Sequence, residues 1–419
     1  MTSAEPDLME KLVSLSKRRG FIFPGSEIYG GLANTWDYGP LGAQLKKNLK
    51  DHWWQTFVER RADMVGLDGG ILMNPNIWEA SGHVATFHDP LVECKVCHKR
   101  FRADHLLEAK GAVPSGMHEK PTAEHGAACP ECGGELTDAR EFNLMFKTFI
   151  GAAEDSKEAV YLRPETAQAI FVNFMNVLNT SRKRLPFGIA QIGKAFRNEI
   201  TPGNFIFRTL EFDQMEVEYF VEESDWERAF EEWAAFAEAW AIAIGIDTQK
   251  LHRTEIPADE RAHYSKRTVD FEFEYPFGRK ELWGLAYRTD FDLMNHAKHT
   301  GERLEYTDPG DQSKKFVPHV VEPSMGLDRT VLAVLLCAYR EETLNDGDAR
   351  VVMRLAPSLA PYKAAVLPLS KKLELTQPAR ALHAQLLKRF LVEYDETQSI
   401  GKRYRRQDEI GTPFCITFD

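Results

Sequence analysis

The sequence predicts an α+β protein in which an antiparallel sheet forms the main domain and a smaller parallel α/β domain follows it. Strand-like patterns succeed one another over residues 268–293 with few helices between them, which is typical of an antiparallel sheet. Residues 91–140 are rich in Cys, His and Gly, which indicates a small inserted module. Beyond residue 350, strand and helix patterns alternate, as in parallel α/β domains. We therefore expect six or seven strands in the main sheet, with helices packed on it.

The composition is that of a globular chain. It has 419 residues, 43% of them hydrophobic and 27% charged, which is enough for a large core and two or three domains. No apolar run approaches the roughly 20 residues of a membrane span. The first residues, MTSAEPDLMEKL, contain neither a basic start nor an apolar signal region, so we expect a cytosolic protein. The net charge of −11 argues only weakly against a nucleic-acid binder, because a local basic surface can act within an acidic whole.

Apolar periodicity predicts the helices of the first part of the chain. A short helix covers residues 8–19 and ends at Gly20. A long amphipathic helix begins at Pro40 and leads into a predicted strand, MVGLDGGILMNP, that ends at Pro75. Its apolar side chains recur every four positions, at Leu41, Leu45, Leu49, Trp53 and Phe57.

A second long helix is predicted from about Asp225 to Ile244. Ser224 and Glu227 form a plausible capping box before it, and Gly245 is its stop. Two strands follow it, TVDFEFEYPF and KELWGLAYRTDFDL.

The terminal domain is predicted to begin near Arg350. Its strands are YKAAVLPL, LVEYD and PFCITFD. A helix over residues 377–390 separates the first two strands, and a short basic helix precedes the third. This alternation predicts a parallel sheet.

Four of the six cysteines form two CxxC pairs, which predict a structural zinc site. The spacer between the pairs is 31 residues, longer than the usual run of about 15–20, so a hairpin or extra loop is expected there. Reduced, metal-free cysteines are the alternative, and disulfides are not expected in a cytosolic chain. His98 is expected at the surface rather than as a ligand. The predicted ligands are Cys94, Cys97, Cys129 and Cys132.

The segment FRNEITPGNFIFRTLEFDQMEVEYF, residues 196–220, concentrates charges of both signs. Arg197 and Arg208 flank the turn signal TPGNF, so a hairpin would bring both onto one face. A guanidinium suits phosphate oxygens, and the chain has no glycine-rich phosphate loop. The alternative is a salt-bridge ladder on a solvated sheet. Two further segments, RPETAQAIF and VVEPSMGLDRTVLAVLL, favour a ligand site over the ladder. In the second, Arg329 lies at the start of an apolar helix, and burying it unpaired would cost several kcal/mol, so a ligand or a carboxylate has to meet it.

In their order these segments resemble the class II aminoacyl-tRNA synthetases. The long helix with the strand ending at Pro75 is similar to motif 1 of that class, residues 196–212 to motif 2 and residues 326–335 to motif 3. FRADHLLEA, RPETAQ, PFGIAQIGKAFRNEITP, FDQMEVEYF, RTDFDL and VEPSMGLDR resemble the dimeric glycyl-tRNA synthetases in particular, over nearly the whole chain. The HIGH-like and KMSKS-like signatures of class I are absent.

The resemblance implies a domain division. Residues 1–349 would form the catalytic domain, with the cysteine module inserted at 91–140 and a helical insertion at about 222–265. Residues 350–419 would form an anticodon-binding domain with GKRYRRQDEIG as a basic face near RNA, incomplete because a further strand and helix follow PFCITFD in the family. Dimerisation would involve the region 41–75.

The resemblance also implies an ATP site with Mg²⁺. Arg197 would contact the α-phosphate, Arg208 the β- and γ-phosphates, and Arg329 the face of adenine opposite Phe212; these three arginines would be catalytic. Glu281 would help to hold Mg²⁺. The remaining ATP-binding positions implied are Asn198, Glu199, Phe207, Thr209, Leu210, Glu211, Leu282, Gly326, Leu327 and Asp328.

A glycine site next to the ATP site is implied as well. Carboxylates would bind the ammonium group, and close packing around the Cα would exclude alanine. The implied positions are Arg102, Glu165, Phe212, Asp213, Gln214, Met215, Glu216, Arg288, Glu322, Pro323, Ser324, Met325 and Gly326.

The implied function is the ATP-dependent activation of glycine to glycyl adenylate and its transfer to the 3′ end of tRNA(Gly) by a cytoplasmic homodimer. A second reading is a synthetase for another small amino acid. A third, from a different class, is a non-catalytic accessory protein that binds nucleic acid, but such proteins often lose the ATP arginines, which are present here. A zinc-ribbon RNA-binding protein would explain the cysteine module and nothing else.

Overall fold

The computed structural model describes residues 7–103, 106, 128–151, 159–343, 347 and 349–419. Parts of FRADHLLEA and of the polar stretch EETLNDGDARV lie outside the described residues. The helices are α1 (Leu8–Arg19), α2 (Pro40–Trp54), α3 (Asn76–Ala80), α4 (His83–Thr86), α5 (Ala167–Val172), α6 (Phe174–Ser181), α7 (Trp226–Ala243), α8 (Phe291–Thr300), α9 (Leu327–Ala338), α10 (Leu373–Leu386) and α11 (Ile400–Ile410).

The strands are β1 (Ile22–Pro24), β2 (Trp36–Tyr38), β3 (Met64–Gly66), β4 (His88–Glu93), β5 (Arg100–Arg102), β6 (Arg140–Asn143), β7 (Lys147–Phe149), β8 (Ala159–Tyr161), β9 (Phe187–Phe196), β10 (Glu211–Val221), β11 (Leu251–Glu255), β12 (Arg267–Tyr275), β13 (Gly278–Thr289), β14 (Tyr306–Asp308), β15 (Asp311–Phe316), β16 (His319–Gly326), β17 (Tyr339–Thr343), β18 (Ala349–Met353), β19 (Ala364–Pro368), β20 (Val392–Tyr394) and β21 (Cys415–Phe418).

The main sheet has seven strands in the order β11-β12-β13-β16-β10-β9-β3. Neighbouring strands are antiparallel except β3, which pairs with β9 in parallel. The predicted antiparallel sheet is confirmed. The predicted strand to Pro75 is wrong beyond Gly66. Arg163 donates hydrogen bonds to the carbonyls of Gly69 (2.7 Å) and Gly70 (3.3 Å), so a side chain satisfies this backbone instead of a neighbouring strand.

The two long helices of the main domain are confirmed. Helix α2 begins at Pro40, continues through a π-helical turn and packs its apolar side chains into the main core. Helix α7 stops before Gly245, which has a left-handed φ of 83°. The capping box predicted before α7 is wrong, because Ser224 lies in a 3₁₀ turn and no side chain caps the helix. The ring centroids of Phe57 and Trp240 lie 5.6 Å apart and join the two helices.

The predicted strand KELWGLAYRTDFDL continues too far. Strand β13 ends at Thr289, whose φ is positive (59°), and α8 begins two residues later. Arg288 and Asp292 form an ion pair of 2.8 Å at the spacing of one helical turn. This pair stabilises the turn where the sequence pattern alone suggested continued strand.

The inserted and terminal sheets confirm the remaining architecture. Strands β5, β4 and β6 form the small sheet of the cysteine module. In the terminal domain β20, β19 and β21 are parallel. Helix α10 begins at Leu373, earlier than the predicted 377, and contains Pro378. Proline removes one backbone hydrogen bond, but Thr376 and Ala379 are buried and anchor the first turns.

Candidate active site

Strand β10 turns several of its acidic side chains toward one face of the main sheet and its apolar core residues toward the other. Successive side chains of a strand point to opposite faces. Phe212, Gln214 and Glu216 line a cavity, whereas Met215 and Val217 belong to the main core. From Gln214 onward the alternation explains how one strand combines acids on one side with apolar side chains on the other, whereas Asp213 lies on the core side.

A cavity of about 530 Å³ opens on this face of the sheet. Strands β10, β12, β13 and β16 and the loop between β9 and β10 contribute to its wall. Among the residues predicted for the site, those that line it are Glu165, Arg197, Glu199, Phe207, Arg208, Thr209, Phe212, Gln214, Glu216, Glu281, Leu282, Glu322, Ser324, Gly326, Asp328 and Arg329.

Other predicted site residues lie outside the cavity wall. Met325 and Leu327 point into the main core, as Met215 does. Arg102 is ion-paired with Asp89 at 2.6 Å in the cysteine module. The full set outside the wall is Arg102, Asn198, Leu210, Glu211, Asp213, Met215, Arg288, Pro323, Met325 and Leu327.

The cavity wall also contains residues that no motif predicted. Thr268 and Asp270 lie on β12, next to the strand that carries Glu281. The alternation of TVDFEFEYPF could have placed both on the cavity face, because Val269 between them is buried in the core. The loop before β12 adds Tyr264, for which the sequence held no signal. The other unpredicted wall residues are Ile206, Ile256, Glu260, Arg261, Ala262, Gly284, Leu285 and Ala286.

Arg197 and Arg208 project half-buried guanidinium groups into the cavity. Within the described part of the chain, neither guanidinium has a carboxylate within 4.0 Å. Arg197 donates from Nε to the carbonyl of Pro164 at 3.1 Å, and its guanidinium lies 5.3 Å from the ring of Phe212. Burial lowers the pKa of Arg208, and the nearby positive charges of Arg102 and Arg329 lower it further. Two uncompensated cations facing one cavity make it a site for an anion.

Arg329 stands at the same end of the cavity but is already paired. Its guanidinium donates to Glu281 at 3.0 Å and lies 4.4 Å from the ring centroid of Phe207. Glu199 is close by, and its Oε2 is buried without a hydrogen-bond donor among the described residues. This end therefore offers cations for phosphates, aromatic faces, and an acceptor for an amino group.

The opposite end of the cavity is acidic. Glu216 accepts hydrogen bonds from Thr166 and, at 2.8 Å, from Ser324. Glu322 accepts from Arg288 at 2.9 Å. Burial and the neighbouring Glu165 raise the pKa of Glu216. A cation entering this end would therefore meet several carboxylates already held in place by donors.

Glu165 is oriented from two sides. Gln168 donates to its Oε1 at 3.0 Å, and His83 Nε2 lies 3.4 Å from its Oε2. Ser81 Oγ lies 2.8 Å from the other ring nitrogen of His83. Burial would raise the pKa of Glu165, but His83 and Arg288 hold it well below its usual range. His83 and Ser81 were not predicted, because the segment EASGHVA carries no recognised motif.

Arg288 lies behind the acidic end rather than at its surface. It is 1% exposed and bonded to Asp292 as well as to Glu322. Burial would lower its pKa, but Asp292 and Glu322 raise it well above its usual range. Tyr264 packs on its guanidinium, with the ring centroid at 3.7 Å. Arg288 thus fixes the position of the Glu322 carboxylate.

Asp213 faces away from the cavity into a buried ion network. Lys46 of α2 lies 2.6 Å from Asp213 and 2.7 Å from Asp328 of α9. Asp328 also accepts from the backbone N–H of Asp213 at 2.8 Å and from the Tyr38 hydroxyl at 2.5 Å. The network ties α2, β10 and α9 together and so fixes the strand that carries the cavity residues.

The four predicted metal ligands come together in the cysteine module. Their sulfur atoms all lie within 4.8 Å of one another, with Cys94–Cys132 at 3.5 Å and Cys97–Cys129 at 3.6 Å. Zn–S bonds of about 2.3 Å in a tetrahedron require sulfurs about 3.8 Å apart, so the cluster fits zinc. The backbone N–H of Cys97 is the main cause that lowers the pKa of Cys94, to about 6. As expected, His98 is a surface residue, with a side chain 76% exposed.

No helix in the described parts of the chain combines the length and apolar character that crossing a membrane requires.

Comparisons with known proteins agree with this geometry. Residues 146–337 match the family model of the tRNA synthetase class II core domain (G, H, P, S and T), and residues 363–419 match that of an anticodon binding domain. The chain is 55% identical to the Glycine--tRNA ligase of Geobacillus thermodenitrificans, over 98% of this chain and 90% of the relative. It is 56% identical to the protein of the same name from Alkaliphilus oremlandii and 55% identical to that from Acetivibrio thermocellus, over 98% of this chain and 91% of each relative.

Proposed function

Because this chain belongs to the glycine–tRNA ligases of the class II tRNA synthetases, we propose how its cavity activates glycine with ATP. The relatives are named glycine–tRNA ligases. The enzyme joins glycine to tRNA, and it activates glycine with ATP as a class II synthetase. One observation supports placing the reaction in this cavity: two arginines that pair with no carboxylate among the described residues stand at one end of it, and a cluster of buried carboxylates stands at the other. Glycine and ATP bring opposite charges to these two ends.

ATP binds at the arginine end in this proposal. Arg197 contacts the α-phosphate and Arg208 the β- and γ-phosphates, because neither guanidinium is paired with a carboxylate among the described residues. The base stacks on Phe212, and the free Oε2 of Glu199 accepts its amino group. Arg329 covers the other face of the base, beside Phe207.

Glycine binds at the acidic end in this proposal. Its ammonium group is held by Glu165, Glu216 and Glu322, with Ser324 fixing the Glu216 carboxylate at 2.8 Å. Gln214 and Gly326 close the wall between the two ends. The carboxylate of glycine is already ionised, so it attacks the α-phosphorus without a general base and pyrophosphate leaves. Catalysis is then positioning and charge stabilisation by Arg197 and Arg208.

Asp270 and Glu281 are the residues proposed to hold Mg²⁺. They lie on adjacent strands, both face the cavity, and the carboxylate of Asp270 has no hydrogen-bond donor among the described residues. Oxygen ligands of this kind fit Mg²⁺, which in such sites neutralises phosphate charge. Glu281 was predicted from the resemblance, whereas Asp270 is added by the structure.

The affinity for Mg²⁺ is expected to depend on pH through Asp270. Burial, followed by Glu281 and Glu272, raises the pKa of Asp270 to about 7. Mg²⁺ requires the ionised form, so its apparent affinity in the presence of ATP should rise about tenfold per pH unit below 7 and level off above it. The same shift means that the metal-free fold loses stability as the pH rises from 3.8 to about 7.

Mg²⁺ titrations of adenylate formation at several pH values measure this dependence. Asp270→Asn should bind Mg²⁺ more weakly and lose the pH dependence that is specific to the protein, while any contribution from ATP itself remains. An unchanged profile in the variant would assign the dependence to another group.

A structural zinc ion in the cysteine module is proposed from the sulfur geometry. Four thiolates leave no open coordination position, so the metal would hold the module together rather than act on substrate. Purified protein is expected to contain about one zinc per chain. Cys97→Ser should lower the zinc content and the midpoint of thermal unfolding, whereas Cys415→Ser, outside the cluster, should change neither strongly. Protein that is free of zinc yet equally stable would contradict the proposal.

The terminal domain is proposed to bind the anticodon arm of tRNA(Gly), since residues 363–419 match an anticodon binding domain. The basic helix α11 supplies exposed Lys402 and Arg405 for RNA phosphates. Arg403, predicted for this face, is instead 2% exposed and donates to the carbonyl of Pro368 at 2.6 Å.

We further propose a cytoplasmic homodimer joined through the region 41–75, which light scattering of the purified protein would test.

The overall function is tested by charging tRNA(Gly) with glycine in the presence of ATP and Mg²⁺. Glycyl-tRNA should accumulate with tRNA(Gly) and not with tRNA(Ala). A protein that binds tRNA(Gly) but forms no glycyl-tRNA or glycyl adenylate would favour the non-catalytic accessory reading.

A further inference from the structure

Glu218 occupies an unusual position under the proposed glycine pocket. It lies on the cavity side of β10, two residues beyond Glu216, and is 0% exposed. The cross-strand pairs Glu216–Ser324 and Tyr219–Val321 place it directly opposite Glu322 of β16. Carboxylate oxygens of the three glutamates all lie within 4.8 Å of one another. Like charges opposite each other on neighbouring strands are destabilising, so three ionised carboxylates would not stay together here.

Glu218 differs from its neighbours in its partners. Glu216 accepts hydrogen bonds from Thr166 and Ser324, and Glu322 accepts from Arg288. Among the described residues, neither carboxylate oxygen of Glu218 has a donor. An ionised carboxylate that is fully buried and without donors costs far more free energy than the neutral acid in the same place. The proton of the cluster therefore belongs on Glu218.

The charged groups around Glu218 support this assignment. Glu322 faces it from β16, Glu216 lies on its own strand, and Asp292 approaches from α8. Arg288 of β13 is the one nearby cation among the described residues that act on it, and it is already shared between Asp292 and Glu322. Burial and the facing Glu322 raise the pKa of Glu218 well above its usual range.

We propose that Glu218 is protonated in the empty pocket and releases its proton when the ammonium group of glycine binds, so that glycine capture is linked to proton release. The inference rests on the proposed glycine pocket. The neutral acid keeps the empty cluster from repelling itself. An ammonium group adds the positive charge that the cluster lacks, the O–H bond of Glu218 breaks, the proton leaves to solvent, and the new carboxylate stabilises the bound cation.

Glu218 thus becomes a specificity-determining residue for the ammonium end of the substrate. The buried proton also explains how the oxygens of three carboxyl groups can lie within 4.8 Å of one another in the absence of substrate, because only two of the groups are then charged.

The test is direct measurement of protons released when glycine is added to the enzyme without ATP. In weakly buffered solution with a pH-indicator dye, at a pH where the amine of glycine stays protonated, about one proton per bound glycine should appear. Glu218→Gln, which keeps the shape but holds no titrating proton, should release none. Its KM for glycine in adenylate formation should rise about tenfold or more, the effect of losing a charge-assisted hydrogen bond, with an unchanged KM for ATP.

Two controls separate the outcomes. Glu238→Gln alters an exposed carboxylate on α7 and should release protons like the wild type. Infrared difference spectra of the wild type should lose the band of a protonated carboxyl group when glycine is added, which requires no variant to fold. Glycine binding without proton release, or equal release by wild type and Glu218→Gln, would overturn the role given to Glu218 but leave the proposed glycine pocket intact. Absence of any glycine-dependent adenylate formation would instead show that the proposed pocket is wrong.

Discussion

Replacing Arg197 with alanine is expected to lower the rate of glycyl-adenylate formation about 100- to 1,000-fold, the loss measured when one preorganised donor to a transition state is removed. Its guanidinium enters the cavity, has no carboxylate partner in the part of the chain that the structure describes, and is oriented by the Pro164 carbonyl at 3.1 Å and the ring of Phe212 at 5.3 Å. The charge is therefore available to the α-phosphate as it is attacked. Single-turnover formation of the adenylate measures the effect without interference from tRNA transfer.

Two further variants make the Arg197 result specific. Arg197→Lys keeps the charge but not the planar fork, so it should recover only part of the rate. Arg228→Ala removes an exposed arginine of α7 that pairs with Glu232 at 3.1 Å, and it should retain full activity. Arg197→Ala should also unfold at the wild-type temperature. A near-normal adenylation rate in this variant would contradict the role given to Arg197.

Replacing Lys46 with methionine is expected to destabilise the fold by about 3–5 kcal/mol, the cost of leaving buried charges without their partner. Lys46 lies between Asp213 at 2.6 Å and Asp328 at 2.7 Å, and all three side chains are at most 11% exposed. Methionine fills a similar space without charge, so Asp328 would lose the cation between α2, β10 and α9, and Asp213 would keep the more exposed Lys50, which lies 2.7 Å from it. The free energy of unfolding from denaturant titration measures the loss.

Lys47→Met is the matched control for this variant. Lys47 is the next residue, is 63% exposed and pairs with Asp51 along the helix surface, so its loss should cost less than about 1 kcal/mol. Burial would raise the pKa of Asp213, but Lys46, followed by Lys50, lowers it to about 2. The stability that this shift contributes is full above 3.8 and is lost as the pH falls toward 2, and Lys46→Met should lose part of it. Equal stability of both variants would contradict the buried network.

Sequence periodicity predicted the elements that carry the cavity. The period-2 pattern of FDQMEVEYF gave β10, and the apolar run after Gly326 gave α9. The order of the motifs then indicated the arginines and carboxylates that the structure brings together around one cavity. Where a side chain belonged to a strand with one polar face, its direction followed from the alternation alone.

Sequence reasoning failed where direction depends on packing between distant segments. Asp213 sits between predicted site residues, but the strand alternation turns it to the other side of the sheet, where Lys46 from α2 pairs with it. Arg288 was expected to touch substrate, yet its partners Asp292 and Glu322 hold it behind the cavity. Asp270 was missed although the alternation of TVDFEFEYPF gives its face, because only the pairing of β12 with β13 shows that this face lies beside Glu281 at the cavity.

In the cysteine module, the sequence predicts the cluster of sulfur atoms but not whether a metal occupies it. The two CxxC spacings correctly brought four sulfurs within 4.8 Å of one another, although the chain between the pairs lies largely outside the described residues. That zinc occupies this cluster stays a prediction, because sulfur geometry alone gives the fit and not the occupancy.

Amino-acid-dependent exchange between ATP and pyrophosphate tests the central claim most directly, with glycine, alanine and serine compared in the presence of Mg²⁺ and the absence of tRNA. The cavity is expected to support exchange with glycine alone, and Arg197→Ala should abolish most of it. Exchange that is equally fast with alanine would contradict the glycine pocket. No exchange from folded protein containing zinc would contradict catalysis in this cavity, and Arg197 and Arg208 would then require a different anionic ligand.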